Sequence, residues 1–210
     1  MNGVLTTVYV VDDDESIRRA MTRLFRTAGF HVRTFESADE FLAAPPADGL
    51  ACLLLDLRLP GISGTELQQK LLQRGTDLPV VILTGQGDVP SAVLAMKQGA
   101  VDFLSKPVDN DVLLNTVGQA VRDLSHRQRQ MFDVREFENR VQSLTSREHE
   151  IMLHVIAGML NKQIAARLAI TETTVKVHRG RVMEKTGVAS VAELVRLCER
   201  AGYSHKGDSQ

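Results

Sequence analysis

Cysteine is scarce in this chain of 210 residues: Cys52 lies inside an apolar run and Cys198 near the C-terminal end. Two well-separated cysteines exclude a disulfide framework and a cysteine-rich metal site, and leave two buried thiols as the expectation. Long apolar runs are missing as well. The run "LACLLL" is far short of the ~20 residues that cross a bilayer, so no membrane partner is expected. The start, "MNGVLTTVYVVDDDES", lacks the basic residues and the cleavage site of a secretory leader, which makes the cytoplasm the expected compartment. There is no internal repeat, and only the tail "SHKGDSQ" reads as disordered.

Charge of one sign is also lacking overall, at a net −1, but the balance hides an asymmetry. Residues 1–120 hold 10 Lys/Arg against 15 Asp/Glu, whereas residues 121–210 hold 15 against 11. An acidic first half suits a cation or phosphoryl site, and a mildly basic second half suits a polyanion. Hydrophobic residues at 43% and charged residues at 24% suffice for ordinary cores and solvated surfaces, and the length suits two domains.

Along the first 120 residues, short apolar runs alternate with amphipathic segments. Strands are expected at 7–11, 31–35, 50–57, 79–84 and 102–105, with helical patterns at 15–28, 37–44, 64–74 and 89–98 and another from Asp109. Near-continuous apolar strands separated by helices predict a doubly wound, flavodoxin-like α/β domain with a five-stranded parallel sheet. Ligands of such sheets bind beyond the carboxyl ends of the strands. Asp12 and Asp13 close the first strand, Asp56 the third and Thr84 the fourth, while Ser105, Lys106 and Pro107 follow the fifth.

The run "LLLDLRLPG" puts the carboxylate of Asp56 at the end of an apolar strand, where an unpaired charge is costly. A capped strand end, a catalytic carboxylate and one leg of a metal site are all consistent with that position. Converging carboxylates repel one another unless a cation sits among them, and oxygen ligands with room for water suit Mg2+. With a hydroxyl at Thr84 and an ammonium at Lys106 to bind further oxygens, the arrangement predicts phosphoryl transfer to a carboxylate. An aspartyl phosphatase needs a second aspartate two residues after its nucleophile, and that place holds Arg58.

"VYVVDDDES", "LLLDLRLPGISG", "VVILTGQGD" and "GAVDFLSKPVD" resemble the landmarks of the receiver domains of two-component response regulators. The resemblance implies that Asp56 accepts a phosphoryl group from a sensor histidine kinase. It implies that Asp13, Asp56 and the backbone carbonyl of Arg58 hold Mg2+, with Asp12 reaching the ion through water. Thr84 and Lys106 would contact the phosphoryl group, and Phe103 would be the aromatic switch that moves with Thr84. Asp14 looks like a helix cap, and Pro107 suggests a cis peptide after Lys106.

A helical linker is expected over 121–142. Val117, Val121, Leu124 and Met131 fall in one near-heptad and Val134, Phe137, Val141 and Leu144 in another, with a three-residue step between them, which fits either a solvated connecting helix or a dimeric coiled coil. Residues 143–210 read as a separate all-α domain of four short helices, the first capped by Ser146. In the third, Val175, His178 and Val182 share one face, and Thr173, Lys176, Val177, Gly180 and Glu184 the other. A valine beside Lys176 suits a thymine methyl in a major groove, and the tight "AI" turn before this helix points to a helix-turn-helix.

The stretch from Leu144 to Val188 is similar to the NarL/LuxR class of DNA-binding domain, and with the receiver it gives the chain the look of a FixJ-type regulator. The resemblance implies that Lys176 and Val177 read bases while Thr173, Thr174, Arg179, Arg181, Lys185, Asn161 and Lys162 hold the backbone. Gly180 departs from the longer side chain common there. The expected protein is a transcriptional regulator that binds double-stranded promoter DNA as a homodimer on phosphorylation, with RNA polymerase as a further partner. The alternative is a receiver-controlled signalling adaptor whose helical domain binds protein.

Overall fold

The computed structural model describes residues 6–45, 49–85 and 89–203, so the tail at 204–210 lies outside the described residues. The chain divides after Arg127 into two compact units.

The first unit contains β1 (Thr6–Val11), α1 (Glu15–Thr27), β2 (His31–Phe35), α2 (Ala38–Ala43), β3 (Leu50–Leu55), α3 (Gly64–Gln73), β4 (Val80–Thr84), α4 (Val89–Lys97), β5 (Asp102–Ser105) and the beginning of α5 (Asn110–Gln142). The strands form one parallel sheet in the order β2-β1-β3-β4-β5, the expected architecture. The apolar runs are continuous because both faces are covered. Tyr9, Val11, Leu53 and Leu55 pack in one core, while Val8, Val10, Cys52 and Leu54 pack in the other. Burial pushes the Cys52 thiol up to about 12, and both cysteines are free and buried.

Register positions the site. Val11 pairs with Leu55, and the Asp56 amide donates to the Val11 carbonyl at 2.9 Å, so the residues that follow the two strands emerge side by side. β3 ends at Leu55, two residues earlier than expected, because the chain turns toward α3: the Gly64 amide donates to the Leu57 carbonyl at 3.0 Å.

The second unit contains the end of α5, then α6 (Ser146–Ile156), α7 (Asn161–Arg167), α8 (Glu172–Thr186) and α9 (Val191–Arg200). Its core includes Phe137, Val141, Ile151, Met152, Ile164, Val175, Val182 and Leu194. The cap of α6 is Thr145 and not Ser146. Thr145 and Glu148 then sit at the spacing of a reciprocal capping box, each side chain bonding the other's amide. α7 begins after Leu160, which has no side-chain oxygen to cap it, and only Gln163 reaches back to the Leu160 amide. In the turn that follows, Ala169 has φ 52, a left-handed conformation that a non-glycine residue seldom adopts.

α5 is one unbroken helix of 33 residues, with no break at the expected start of the linker. Part of the near-heptad seam is buried inside the two units. Val117 and Val121 pack in the core of the first unit and Phe137 and Val141 in that of the second, which leaves the middle of the seam outside either core. Met131 and Phe132, 54% and 65% exposed, lie between. Among the described residues, no helix is long and apolar enough to cross a membrane.

Candidate functional site

At the carboxyl edge of the sheet, oxygen atoms of Asp12, Asp13 and Asp56 lie within 4.8 Å of one another. Asp12 and Asp56 are buried and Asp13 is exposed, which opens the cluster to solvent on one side. Lys106 closes the other: its Nζ lies 2.5 Å from Asp12 Oδ2 and 2.6 Å from Asp56 Oδ2. The lysine is aimed by β5, whose register with β4 pairs Ser105 with Thr84, and the Lys106 amide donates to the Thr84 carbonyl at 2.8 Å. The Lys106–Pro107 peptide is cis.

Each of the two buried carboxylates also accepts from one nearby backbone amide. Asp56 Oδ1 accepts from the Arg58 amide at 3.0 Å, and Asp12 Oδ1 from the Asp14 amide at 2.9 Å. Asp14 itself caps α1 through the Ser16 amide. Burial pushes the Asp12 carboxyl above its usual range, against the hydrogen bonds from Lys106 and the Asp14 amide. For Lys106, burial pulls downward, but the hydrogen bonds to Asp12 and Asp56 outweigh it and hold the ammonium above the ordinary lysine value. The resting site thus carries its own internal cation.

Thr84 is fully buried and its hydroxyl has no hydrogen-bond partner among the described residues, an arrangement normally avoided in a folded core. Phe103 is half-buried against the sheet core. The donor set is oxygen only, with three carboxylates and no nitrogen or sulfur ligand, which fits a hard divalent cation such as magnesium.

One residue of this site escapes sequence reading. A Cβ built on Gly64 would lie 2.3 Å from the Asp56 carbonyl oxygen and 2.7 Å from Leu57 Cα, so α3 can start this close to the Asp56 backbone only with glycine there. The available cue was a glycine directly after the Ser63 cap, where most helices carry a better helix former.

In the second unit, α8 exposes Thr173, Lys176, Val177, Gly180 and Arg181 and buries Val175 and Val182. Val177 is 50% exposed, an apolar side chain on an otherwise polar face. A Cβ on Gly180 would meet nothing within 4 Å, so the protein's own packing does not require glycine there. His178 is half-buried and its Nδ1 has no partner among the described residues. Thr174 is bonded to Thr171 at the helix start, through its amide and hydroxyl. Arg179 and Asn161 are joined directly, Nη1 to Oδ1 at 2.7 Å, which ties α8 to the start of α7 beside the exposed Lys162.

Lys185, expected to hold the DNA backbone, makes an ion pair within this unit. Its Nζ sits 2.6 Å from Oε2 of Glu148, whose side chain is only 3% exposed. Taking the ammonium to a phosphate would leave that carboxylate buried and unpaired.

Glu148 is held down to about 2, first by the hydrogen bond from Lys185 and then by the Thr145 amide. A folded value below the ordinary 4.5 stabilises the fold above pH 4.5, and that contribution is lost as pH falls from there to about 2. Because the Lys185 side chain is 35% exposed, solvent screens the pair and the contribution is about 1–2 kcal/mol. Glu148→Gln therefore lowers the thermal midpoint of this unit by roughly 5–10 °C at neutral pH. Circular-dichroism melts at descending pH will show wild type and variant converging by the lower end of that window.

Comparison with known proteins gives a consistent picture over both units. Residues 8–118 match the response regulator receiver domain family, and residues 142–198 match the luxR family of bacterial regulatory proteins. Nodulation protein W of Bradyrhizobium diazoefficiens is 44% identical over 198 residues, covering 94% of this chain and 87% of that protein. The transcriptional regulatory protein FixJ of the same organism is 41% identical, covering 93% and 95%. Among solved structures, the response regulator StyR is 43% identical with a TM-score of 0.77, covering 93% of this chain and 99% of that one. Full-length FixJ from B. japonicum is 41% identical with a TM-score of 0.60, covering 93% and 97%. Nothing among these relatives supports the signalling adaptor.

Proposed function

The chain belongs to the FixJ-like response regulators, a non-enzymatic family in which a receiver domain controls transcription through a LuxR-type DNA-binding domain, and from that premise we propose that Asp56 is its phosphoacceptor. The observation that carries this reading is the Lys106 ammonium held between Asp12 and Asp56 at the carboxyl edge of the sheet.

Asp56 attacks the phosphorus of a phosphohistidine on the sensor kinase. The P–N bond breaks, the imidazole keeps that electron pair and takes up a proton, and a carboxylate P–O bond forms. Asp12, Asp13, Asp56 and the Arg58 carbonyl are the groups that would hold Mg2+, which supplies charge neutralisation for the phosphoryl oxygens. Lys106 leaves one of its two carboxylates to meet the new anion. The unpartnered Thr84 hydroxyl supports a contact with the phosphoryl group, and Phe103 shifts as Thr84 moves.

In the second unit, Lys176 and Val177 read base edges in the major groove, and Thr173, Thr174, Arg181 and Lys162 hold phosphates. The Asn161–Arg179 pair contacts the backbone as a unit. Lys185 is left out of this set because Glu148 requires it. The reading extends to a cytoplasmic regulator that binds paired half-sites as a homodimer and has RNA polymerase as its downstream partner.

The test is capture of fragmented genomic DNA by the full-length protein with magnesium and acetyl phosphate. A discrete set of fragments is expected, and Lys176→Ala weakens binding to them roughly tenfold. Equal capture by the variant would remove α8 as the base-reading helix.

A further inference from the structure

The turn between β1 and α1 carries two of the three clustered carboxylates, yet its backbone is fixed by a side chain from one turn inside the helix. Nη1 of Arg18 donates to the carbonyl of Asp12 at 2.8 Å and to that of Asp13 at 2.9 Å. In a strand, successive carbonyls point to opposite sides, and so do successive side chains. Here two consecutive carbonyls converge on one nitrogen. The chain has therefore left the extended conformation at this peptide, which allows Asp12 and Asp13 to bring carboxylate oxygens into one cluster.

The rest of the turn is braced against the same helix. The Asp14 amide bonds back to Asp12 Oδ1, the Ser16 amide to Asp14 Oδ1, and the Arg18 amide to the Asp14 carbonyl at 3.1 Å. These bonds set where α1 begins, and only the Arg18 bridge takes both the Asp12 and the Asp13 carbonyls.

We propose that Arg18 is a positioning residue for the cation site: by bridging the carbonyls of Asp12 and Asp13 it presents both carboxylates to a single divalent ion. The inference rests on reading the acidic cluster as a magnesium site. Electrostatics makes it decidable. Removing a positive charge beside a cation site would by itself tighten binding, so weakened binding can only come from lost positioning.

The experiment is calorimetric titration of Mg2+ into full-length wild type, Arg18→Met and Arg18→Lys, with metal-free thermal melts of each. Arg18→Met is expected to bind Mg2+ roughly tenfold more weakly, the low end of what is lost when a group orienting a metal ligand is removed. Arg18→Lys, with an ammonium that can reach the same carbonyls, recovers most of the loss. Unchanged or tighter binding by folded Arg18→Met overturns the inference, as does a lowered metal-free midpoint with Mg2+ affinity intact, which marks a purely structural arginine. Should the methionine variant fail to fold, Arg18→Gln replaces it, and binding by glutamine as tight as by lysine is the overturning result. Wild type that takes up no Mg2+ at millimolar concentration would instead sink the underlying reading of the cluster.

Discussion

Asp56→Asn protein takes up no phosphate from acetyl phosphate, and its DNA affinity does not respond to that donor. The substitution is nearly isosteric. The side-chain oxygen can still accept from the Arg58 amide, and Lys106 keeps Asp12 as a partner, so the fold should survive. What disappears is the nucleophile, because a carboxamide has no anionic oxygen to form the new P–O bond. Intact-mass analysis should show phosphate on wild type alone, and gel shifts should show donor-stimulated DNA binding only there. Phosphate found on the asparagine variant would move the acceptor elsewhere, with Asp12 and Asp13 as the other carboxylates of the cluster.

Gly64→Ala is expected to damage stability and phosphorylation together. Its Cβ would overlap the Asp56 carbonyl oxygen and the Leu57 Cα, both backbone atoms that cannot swing aside as a side chain would. The helix cannot easily back away either. The Gly64 amide is bonded to the Leu57 carbonyl, and the Ser63–Glu66 capping box fixes where α3 begins. Overpacking of this kind costs about 1–3 kcal/mol, measurable as a lower urea midpoint. The larger effect falls on chemistry. The strain is relieved by shifting the peptide that carries Asp56, and a misplacement of about 1 Å can slow a positioned reaction by about 10²-fold. Phosphorylation kinetics read at a temperature where the variant is fully folded separate the two losses. A variant that loses stability but phosphorylates at the wild-type rate would show that α3 yields and the Asp56 backbone does not.

The acidic site was largely legible in the amino-acid string because its parts sit at strand ends, and strands buried on both faces announce themselves as apolar runs. Once β1, β3, β4 and β5 were recognised, the edge of a parallel sheet placed Asp12, Asp56, Thr84 and Lys106 together by topology alone. Contacts between surface helices had no comparable signal. Helical periodicity assigns Lys185 and Arg179 to a face of α8, but it cannot say that Glu148 or Asn161 waits opposite, 37 and 18 residues away. Thr145 is a different case: the three-residue spacing to Glu148 was present in the sequence, and a neighbouring serine drew the cap one residue late. Arg18 was illegible, and Gly64 left only the faint cue of a glycine after a helix cap, because both act on backbone atoms, which have no residue identity for a pattern to detect.

Any cation entering the acidic cluster would have to displace the ammonium that lies between Asp12 and Asp56. That ammonium is a competitor of unit charge tethered to the same chain, already paired with both buried carboxylates. Sodium or potassium would have to displace it with no advantage in charge, whereas a divalent ion gains about twice the Coulomb attraction to the same carboxylates. On the magnesium-site reading, valence would therefore favour a divalent ion before coordination geometry or ionic radius comes into play.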